Sequence, residues 1–196
     1  MILTIEREFG SGGLEIGKIL SKHYGIRLYD AESLLDAAQG MSDFDEVRSF
    51  LLEEPVNSLI YAIAMSELIE ERGKIPFAAM KKIASENDCI IMGRCGNHIF
   101  QNDERLTSIF IHADLNLRIQ RIARDYQLSE SKAKTLIEKT DRHRSSFYKY
   151  YTSKEWADMF NFHLSIDSGK LGVAHSADLI IDYIDKRRAF IKEVWS

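Results

Sequence analysis

The sequence predicts an α/β fold: a five-stranded parallel sheet with helices on both faces. Three observations predict it. "CIIMG" (Cys89 to Gly93) and "SIFIHA" (Ser108 to Ala113) are short continuous apolar runs, as expected of strands buried on both faces of a parallel sheet. The opening of the chain reads strand, glycine loop, helix, strand, which is a βαβ unit and implies a right-handed crossover. Beyond it, apolar runs keep alternating with stretches of helical period.

Taken in order, Ile2 to Ile5 is the first strand and "REFGSGG" the loop after it. Ile16, Ile19, Leu20 and Tyr24 recur at helical spacing, so a helix runs to about His23, with Gly25 as its C-cap. "IRLYD" is a second strand ending at Asp30. Ala31 to Asn87 is helical throughout ("AESLLDAA", "FDEVRSFLLEE", "VNSLIYAIAMSELIEE"), with Pro55 and Pro76 near helix starts, where a missing N–H costs little. The two apolar runs are strands three and four. "DLNLRIQRIARDY" follows as a helix with Asp114 as N-cap. A polar, basic helix runs from Ser129 to about Tyr151. "HLSIDSG" (His163 to Gly169) is the fifth strand. A last helix from about Ala174 buries Leu179, Ile180, Tyr183 and Ile184.

The 196 residues suit one domain, 1–196, and 45% hydrophobic with 29% charged residues is ordinary globular composition. A net charge of −4 makes general nucleic-acid binding a poor expectation, so any anion site must be a local basic cluster. The two cysteines, Cys89 and Cys95, suit a reducing compartment, and no leader or apolar run of ~18 residues is visible. A cytoplasmic protein without a membrane span is expected. His112, His143, His163 and His175 have no metal-ligand spacing.

Ligands in such sheets bind beyond the C-terminal strand ends. Here those ends carry "REFGSGG", "YD", "GRCGN", "HAD" and "DSG". Gly10, Gly12 and Gly13 let the backbone turn tightly and aim N–H groups at an anion, and the next helix adds its positive end; a plain tight turn gives the same letters. Arg94 follows a buried strand between Gly93 and Gly96, so its fork either grips a phosphate or pairs with Asp30 or Asp114. Asp30 either meets a substrate or caps the next helix. Asp167 and Ser168 either line a base pocket or make a turn. In "KTDRHRSSFYKYYTSK", Arg142 and Arg144 are two apart and point to different sides of one helix. Phe147, Tyr148, Tyr150 and Tyr151 either stack on single-stranded nucleic acid or pack on the core.

Read together, "TIEREFGSGGLEIGKIL", Tyr29-Asp30, "IIMGRCGN", "IFIHADLNLRIQR", "DRHR" and "IDSGKLG" make nearly the whole chain resemble the cytidylate kinase-like family of P-loop NTPases. The resemblance implies a three-layer nucleoside monophosphate kinase core, a helical substrate-side region at 31–87 and a helical lid at 128–161. It implies ATP and Mg²⁺, and phosphoryl transfer to CMP or another small acceptor. It assigns Phe9, Gly10, Ser11, Gly12 and Gly13 to the donor phosphates and Asp30 to the acceptor; Arg7, at the end of the first strand, is a further candidate for the donor phosphates. Arg94 falls on the acceptor phosphate, and Arg142 and Arg144 on lid contacts to both phosphate groups. Arg118 and Arg121 fall at the lid hinge.

One departure stands out. A Walker loop reads GxxxxGK followed by Ser or Thr, with the lysine on the β- and γ-phosphates and the hydroxyl on Mg²⁺. Here Gly13 stands at the lysine, and Leu14 or Glu15 at the hydroxyl. Much of the family shares the altered loop but often carries a basic residue where this chain has Leu14. Glu15 is an oxygen donor suited to Mg²⁺. The sequence therefore supports an ATP-dependent phosphotransferase first. A catalytically impaired nucleotide sensor comes second, and an RNA- or partner-binding module third.

Overall fold

The computed structural model describes residues 1–54, 73–85 and 87–195. Its sheet has five parallel strands: β1 (Ile2–Arg7), β2 (Arg27–Tyr29), β3 (Cys89–Met92), β4 (Leu106–His112) and β5 (Leu164–Asp167). Their order across the sheet is β2-β3-β1-β4-β5. β1 is central, pairing Ile2 with Cys89 on one side and with Leu106 on the other.

Alternation along β1 separates two cores. Leu3 and Ile5 face α1 (Gly13–Tyr24) and the C-terminal helix, where Ile16, Leu20, Ala177, Ile180 and Ile184 close over Ile90, Ile109 and Ile166. Ile2 faces the opposite layer. There α2 (Ala31–Ala38), α3 (Phe44–Leu51) and α4 (Lys74–Ile83) contribute Leu34, Val47, Phe50 and Met80. After β3 comes the short α5 (Gly96–Ile99), and after β4 comes α6 (Leu115–Tyr126), capped by the Asp114 side chain on the Asn116 amide at 2.8 Å. α7 (Glu130–Thr152) follows, then a 3₁₀ turn (Met159–Asn161), β5 and α8 (Ser168–Trp195).

The described parts of 31–87 are helical, as expected; "VNSLIYAIAMSELIEE" and Pro55 lie outside the described residues. Non-helical backbone at Gly172 (φ 74°) divides α8 into a short first turn from Ser168 and the long last helix, which starts just after Gly172, close to the expected Ala174. One expectation needs correction. Leu179 is 44% exposed, whereas Ile180 and Ile184 are fully covered. Ile180 and Ile184 are four apart and share the core face, and Leu179 is one position, about 100°, off it.

α7 divides along its length. Its first half packs Ala133 and Ile137 on Ile122 of α6. Its second half belongs to the main core, with Phe147, Tyr148 and Tyr150 buried and Phe147 and Tyr151 in ring contact with Phe50. Those rings are packing residues, so they offer no stacking platform to a single strand. No helix among the described residues is long and apolar enough to cross a membrane.

Candidate active site

The ends of β1, β2 and β3 converge on one cavity of about 370 Å³. β1 and its loop supply Arg7, Phe9, Gly10, Gly12 and Gly13 to the walls. The other strand ends and helices bring Asp30, Arg94, Arg121 and Arg144, and Leu14 and Glu15 form part of the rim.

The loop is shaped by Gly10 (φ 84°) and Gly12 (φ 83°), a left-handed backbone that only glycine adopts without strain. Gly12 is the N-cap of α1 and makes no side-chain cap bond. The first full helical bond is Ile16 N–H to the Gly12 carbonyl at 3.0 Å, so the amides of Gly13, Leu14 and Glu15 are the orphan donors of a helix start. Two positions expected to hold phosphate are already engaged. The Phe9 amide donates to Asp141 Oδ1 of α7 at 2.7 Å. Ser11 is fully buried and its hydroxyl donates to the Glu8 carbonyl at 2.8 Å, so it braces the turn. Its own carbonyl accepts from the Ser168 hydroxyl at 2.6 Å, which ties the loop to the end of β5 and puts Ser168 in a structural role.

Arg118 holds loop and α7 together. It donates to the Ala113 carbonyl at 3.0 Å and the Phe9 carbonyl at 3.3 Å, and reaches Asp141 Oδ2 at 2.5 Å and Glu8 Oε2 at 3.4 Å. Arg121 donates to the Gly10 carbonyl at 3.0 Å. Arg118 thus links α6 to α7, while Arg121 reaches the glycine loop.

Arg94 is buried, in a turn where Gly93, Arg94 and Cys95 all have positive φ (75°, 58° and 53°). Two consecutive non-glycine residues in that region carry strain, which tends to be kept where a side chain must be aimed. Arg94 Nε donates to the Leu51 carbonyl at 2.8 Å, and Nη1 pairs with Glu53. The carboxylate partner is therefore Glu53, not Asp30 or Asp114. Asp30 caps α2: its carboxylate accepts from the Ser33 amide at 3.0 Å, and those Ser33 bonds hold it below the usual carboxylate range. It lines the cavity as well. The two-residue spacing in α7 separates the lid arginines. Arg144 reaches the Arg7 carbonyl at 3.0 Å and lines the cavity, while Arg142 is exposed and outside the lining.

Arg7, Arg94 and Arg144 share few counter-charges. Burial pushes Glu53 up, but Arg94, Arg7, Arg144 and His143 outweigh it, and its carboxyl lies below the ordinary value. Burial pushes Glu6 up and prevails over Arg7 and a 3.0 Å hydrogen bond from Trp156 Nε1. Burial, and then Arg144, hold Arg7 down at about 9. Where Arg7, Arg94 and Arg144 meet, three guanidiniums face one readily ionised carboxylate and one whose charge is disfavoured, a local surplus of positive charge that suits a phosphate, while Glu8, Glu15, Asp30, Glu32 and Asp125 line the rest of the cavity.

For Mg²⁺, no group of three His, Cys, Asp or Glu among the described residues could hold a metal. Glu15 does stand on the cavity wall as a hard oxygen donor. That suits an ion that keeps its waters and arrives on substrate phosphates, the usual manner of Mg²⁺.

Sequence reasoning missed Glu53, Glu6, Asp141 and Trp156. Asp141 was on view in "DRHR" as the acid among the bases, but nothing in its spacing pointed at the Phe9 amide. Glu53 follows the end of α3 and carries no local signal.

Comparison with known proteins gives the family and the fold. Residues 2–170 match the cytidylate kinase-like family. A cytidylate kinase of Sulfolobus acidocaldarius is 30% identical over 188 residues, 95% of this chain and 96% of that protein. One from Sulfurisphaera tokodaii is 24% identical over 94% of this chain and 96% of its own. An uncharacterized protein from Eubacterium ventriosum superposes with a TM-score of 0.75 at 28% identity, over 95% of this chain and 98% of its own. The shikimate kinase of Acinetobacter baumannii, at 12% identity, shares the fold with a TM-score of 0.52, over 95% of this chain and 93% of its own.

Proposed function

We propose a specific phosphotransfer for this chain, which belongs to the cytidylate kinase-like family: the terminal phosphoryl group of ATP passes to the phosphate of CMP or a similar nucleoside monophosphate. The observation that carries this reading is the shared cavity of Arg94, Arg144 and the amides at the start of α1. Transfer of a phosphoryl group needs little covalent help from protein. It needs two phosphate groups held in line and their charge balanced.

In this reading the amides of Gly12 to Glu15 hold the donor phosphates. Arg94 releases Glu53 and grips the acceptor phosphate through its fork. Arg144, anchored on the Arg7 carbonyl, lies between the two. An acceptor phosphate oxygen attacks the γ-phosphorus, the bond to the bridging oxygen breaks, and ADP leaves with the electron pair. Mg²⁺ supplies charge neutralisation when bound with ATP, and Glu15 is the side chain that would hold it. Arg142 has no part in this reading.

A second reading, a nucleotide sensor without turnover, draws on Gly13, Leu14 and Glu15 standing where a lysine and a hydroxyl are usual. One experiment separates the two: ADP formation with ATP, Mg²⁺ and a panel of nucleoside monophosphates, for wild type and Arg94→Ala. Acceptor-dependent ADP that falls in Arg94→Ala supports the kinase. Nucleotide binding with no turnover on any acceptor supports the sensor.

A further inference from the structure

We propose that Arg7 takes the place of the missing lysine, binding the β- and γ-phosphates of the donor triphosphate from the strand side of the loop. The inference deepens the phosphotransferase reading and rests on it for the role in transfer, but the binding role stands by itself.

The path of the side chain carries it. In β1, residues 3, 5 and 7 face α1, so Arg7 leaves the strand directly beneath the first turn of that helix. There it passes Gly13. A Cβ on Gly13 would lie 2.7 Å from Arg7 Cβ and 2.9 Å from its Cγ, so no side chain fits at position 13 while Arg7 runs this way. Position 13 is where the lysine of an ordinary loop stands. Lysine at 13 and this path for Arg7 are mutually exclusive, and the sequence has the arginine with the glycine.

The far end of Arg7 has the same accommodation. A Cβ on Gly93 would lie 2.4 Å from Arg7 Nη1. Two glycines from different loops thus clear the stem and the head of one side chain. Nη1 is buried and has no hydrogen-bond partner among the described residues. An arginine N–H left unpaired in a buried place is costly, and an incoming phosphate oxygen satisfies it. Arg7 lines the same cavity as Gly10, Gly12, Gly13 and Arg94. Its cost of burial is partly met by Glu6 and Glu53 but raised again by Arg144 and Arg94, so its charge remains incompletely balanced until an anion enters.

In transfer, Arg7 stays protonated and moves no proton. It offsets the charge on the β–γ bridging oxygen as that bond breaks. Losing one such donor typically lowers the rate 10²–10³-fold.

The test is calorimetric binding of a non-hydrolysable ATP analogue and of CMP, with turnover measured in parallel, for wild type, Arg7→Ala, Arg7→Lys and Arg7→Met. Arg7→Ala should weaken the triphosphate at least tenfold, leave CMP within about threefold, and lower any turnover ~10²–10³-fold. Arg7→Lys should recover part of both. Arg7→Met keeps the apolar stem past Gly13 without the charge, and should reproduce the selective triphosphate loss. If Arg7→Ala fails to fold, Arg7→Lys and Arg7→Met decide. Unchanged triphosphate binding in the variants overturns the inference, as does equal loss of both ligands without rescue by lysine, or a wild type that binds no triphosphate. Selective triphosphate loss in a protein with no turnover upholds Arg7 as a ligand while the kinase reading fails. Turnover indifferent to Arg7 does the reverse.

Discussion

Replacing Glu53 by glutamine separates stability from ligand affinity in this cluster. The Glu53 side chain is 12% exposed and Arg94 7%, so their ion pair is buried. Breaking a buried pair from one side costs ~3–5 kcal/mol because the other charge is left uncompensated. Glutamine keeps an oxygen to accept from Arg94, which places the loss near the lower figure, about 3 kcal/mol. At ~2–4 °C per kcal/mol for a chain of this size, Tm should fall by roughly 6–12 °C in phosphate-free buffer at pH 7. The effect has a definite pH dependence. The folded-state pKa of Glu53 lies below the ordinary 4.5, so its contribution is present above 4.5 and disappears as pH falls through the lower folded value. Wild type and variant should therefore converge in acid. Meanwhile the three guanidiniums lose their ionised partner, and inorganic phosphate should stabilise Glu53→Gln more than wild type. At a hundred times Kd a ligand returns ~2.7 kcal/mol, nearly the whole deficit. Thermal melts with and without phosphate read both effects. A variant within 2 °C of wild type (roughly what 1 kcal/mol would shift), or one no more responsive to phosphate, refutes the reasoning.

Other substitutions test separate parts of the account. Arg144→Ala should lower kcat/KM at least tenfold while Arg142→Ala stays within about twofold, measured on the same acceptor, because only Arg144 lines the cavity. Phe147→Ala should lose ~3–5 kcal/mol in denaturant unfolding, since the ring is 7% exposed in the main core; a loss below 1 kcal/mol would return it to a surface role. Leu14→Lys adds a charge to a rim position that is 40% exposed and should tighten triphosphate binding a few-fold by calorimetry. The same charge opposes the helix dipole, so its Tm should drop by one to a few degrees, corresponding to ~0.3–1 kcal/mol.

The fold was readable because its inner strands hold continuous apolar runs. Cys89 to Met92 and Ile109 to Ile111 are buried throughout, which leaves these runs no polar alternation. The glycine loop was readable too, since positive φ at Gly10 and Gly12 restricts what can stand there. Side-chain direction was less accessible. Leu179 and Ile180 differ only by a turn of 100° about the helix, and periodicity over a few residues does not choose between them. The spacing of Arg142 and Arg144 did foretell that they diverge, but not which one turns inward. The partners of the site were hidden for a different reason. Glu53 and Arg94 are 41 residues apart, and Phe9 and Asp141 132 apart, so no local pattern records their contact.

The central claim is that this cavity moves a phosphoryl group between two nucleotides without a loop lysine. Phosphorus NMR of purified protein with ATP, Mg²⁺ and CMP tests it most directly, because every product is seen. The account predicts that ADP and a new nucleoside diphosphate appear in equal amounts, and that neither forms when CMP is omitted. ATP that stays intact beside CMP and each alternative monophosphate, or that yields only free phosphate, contradicts it.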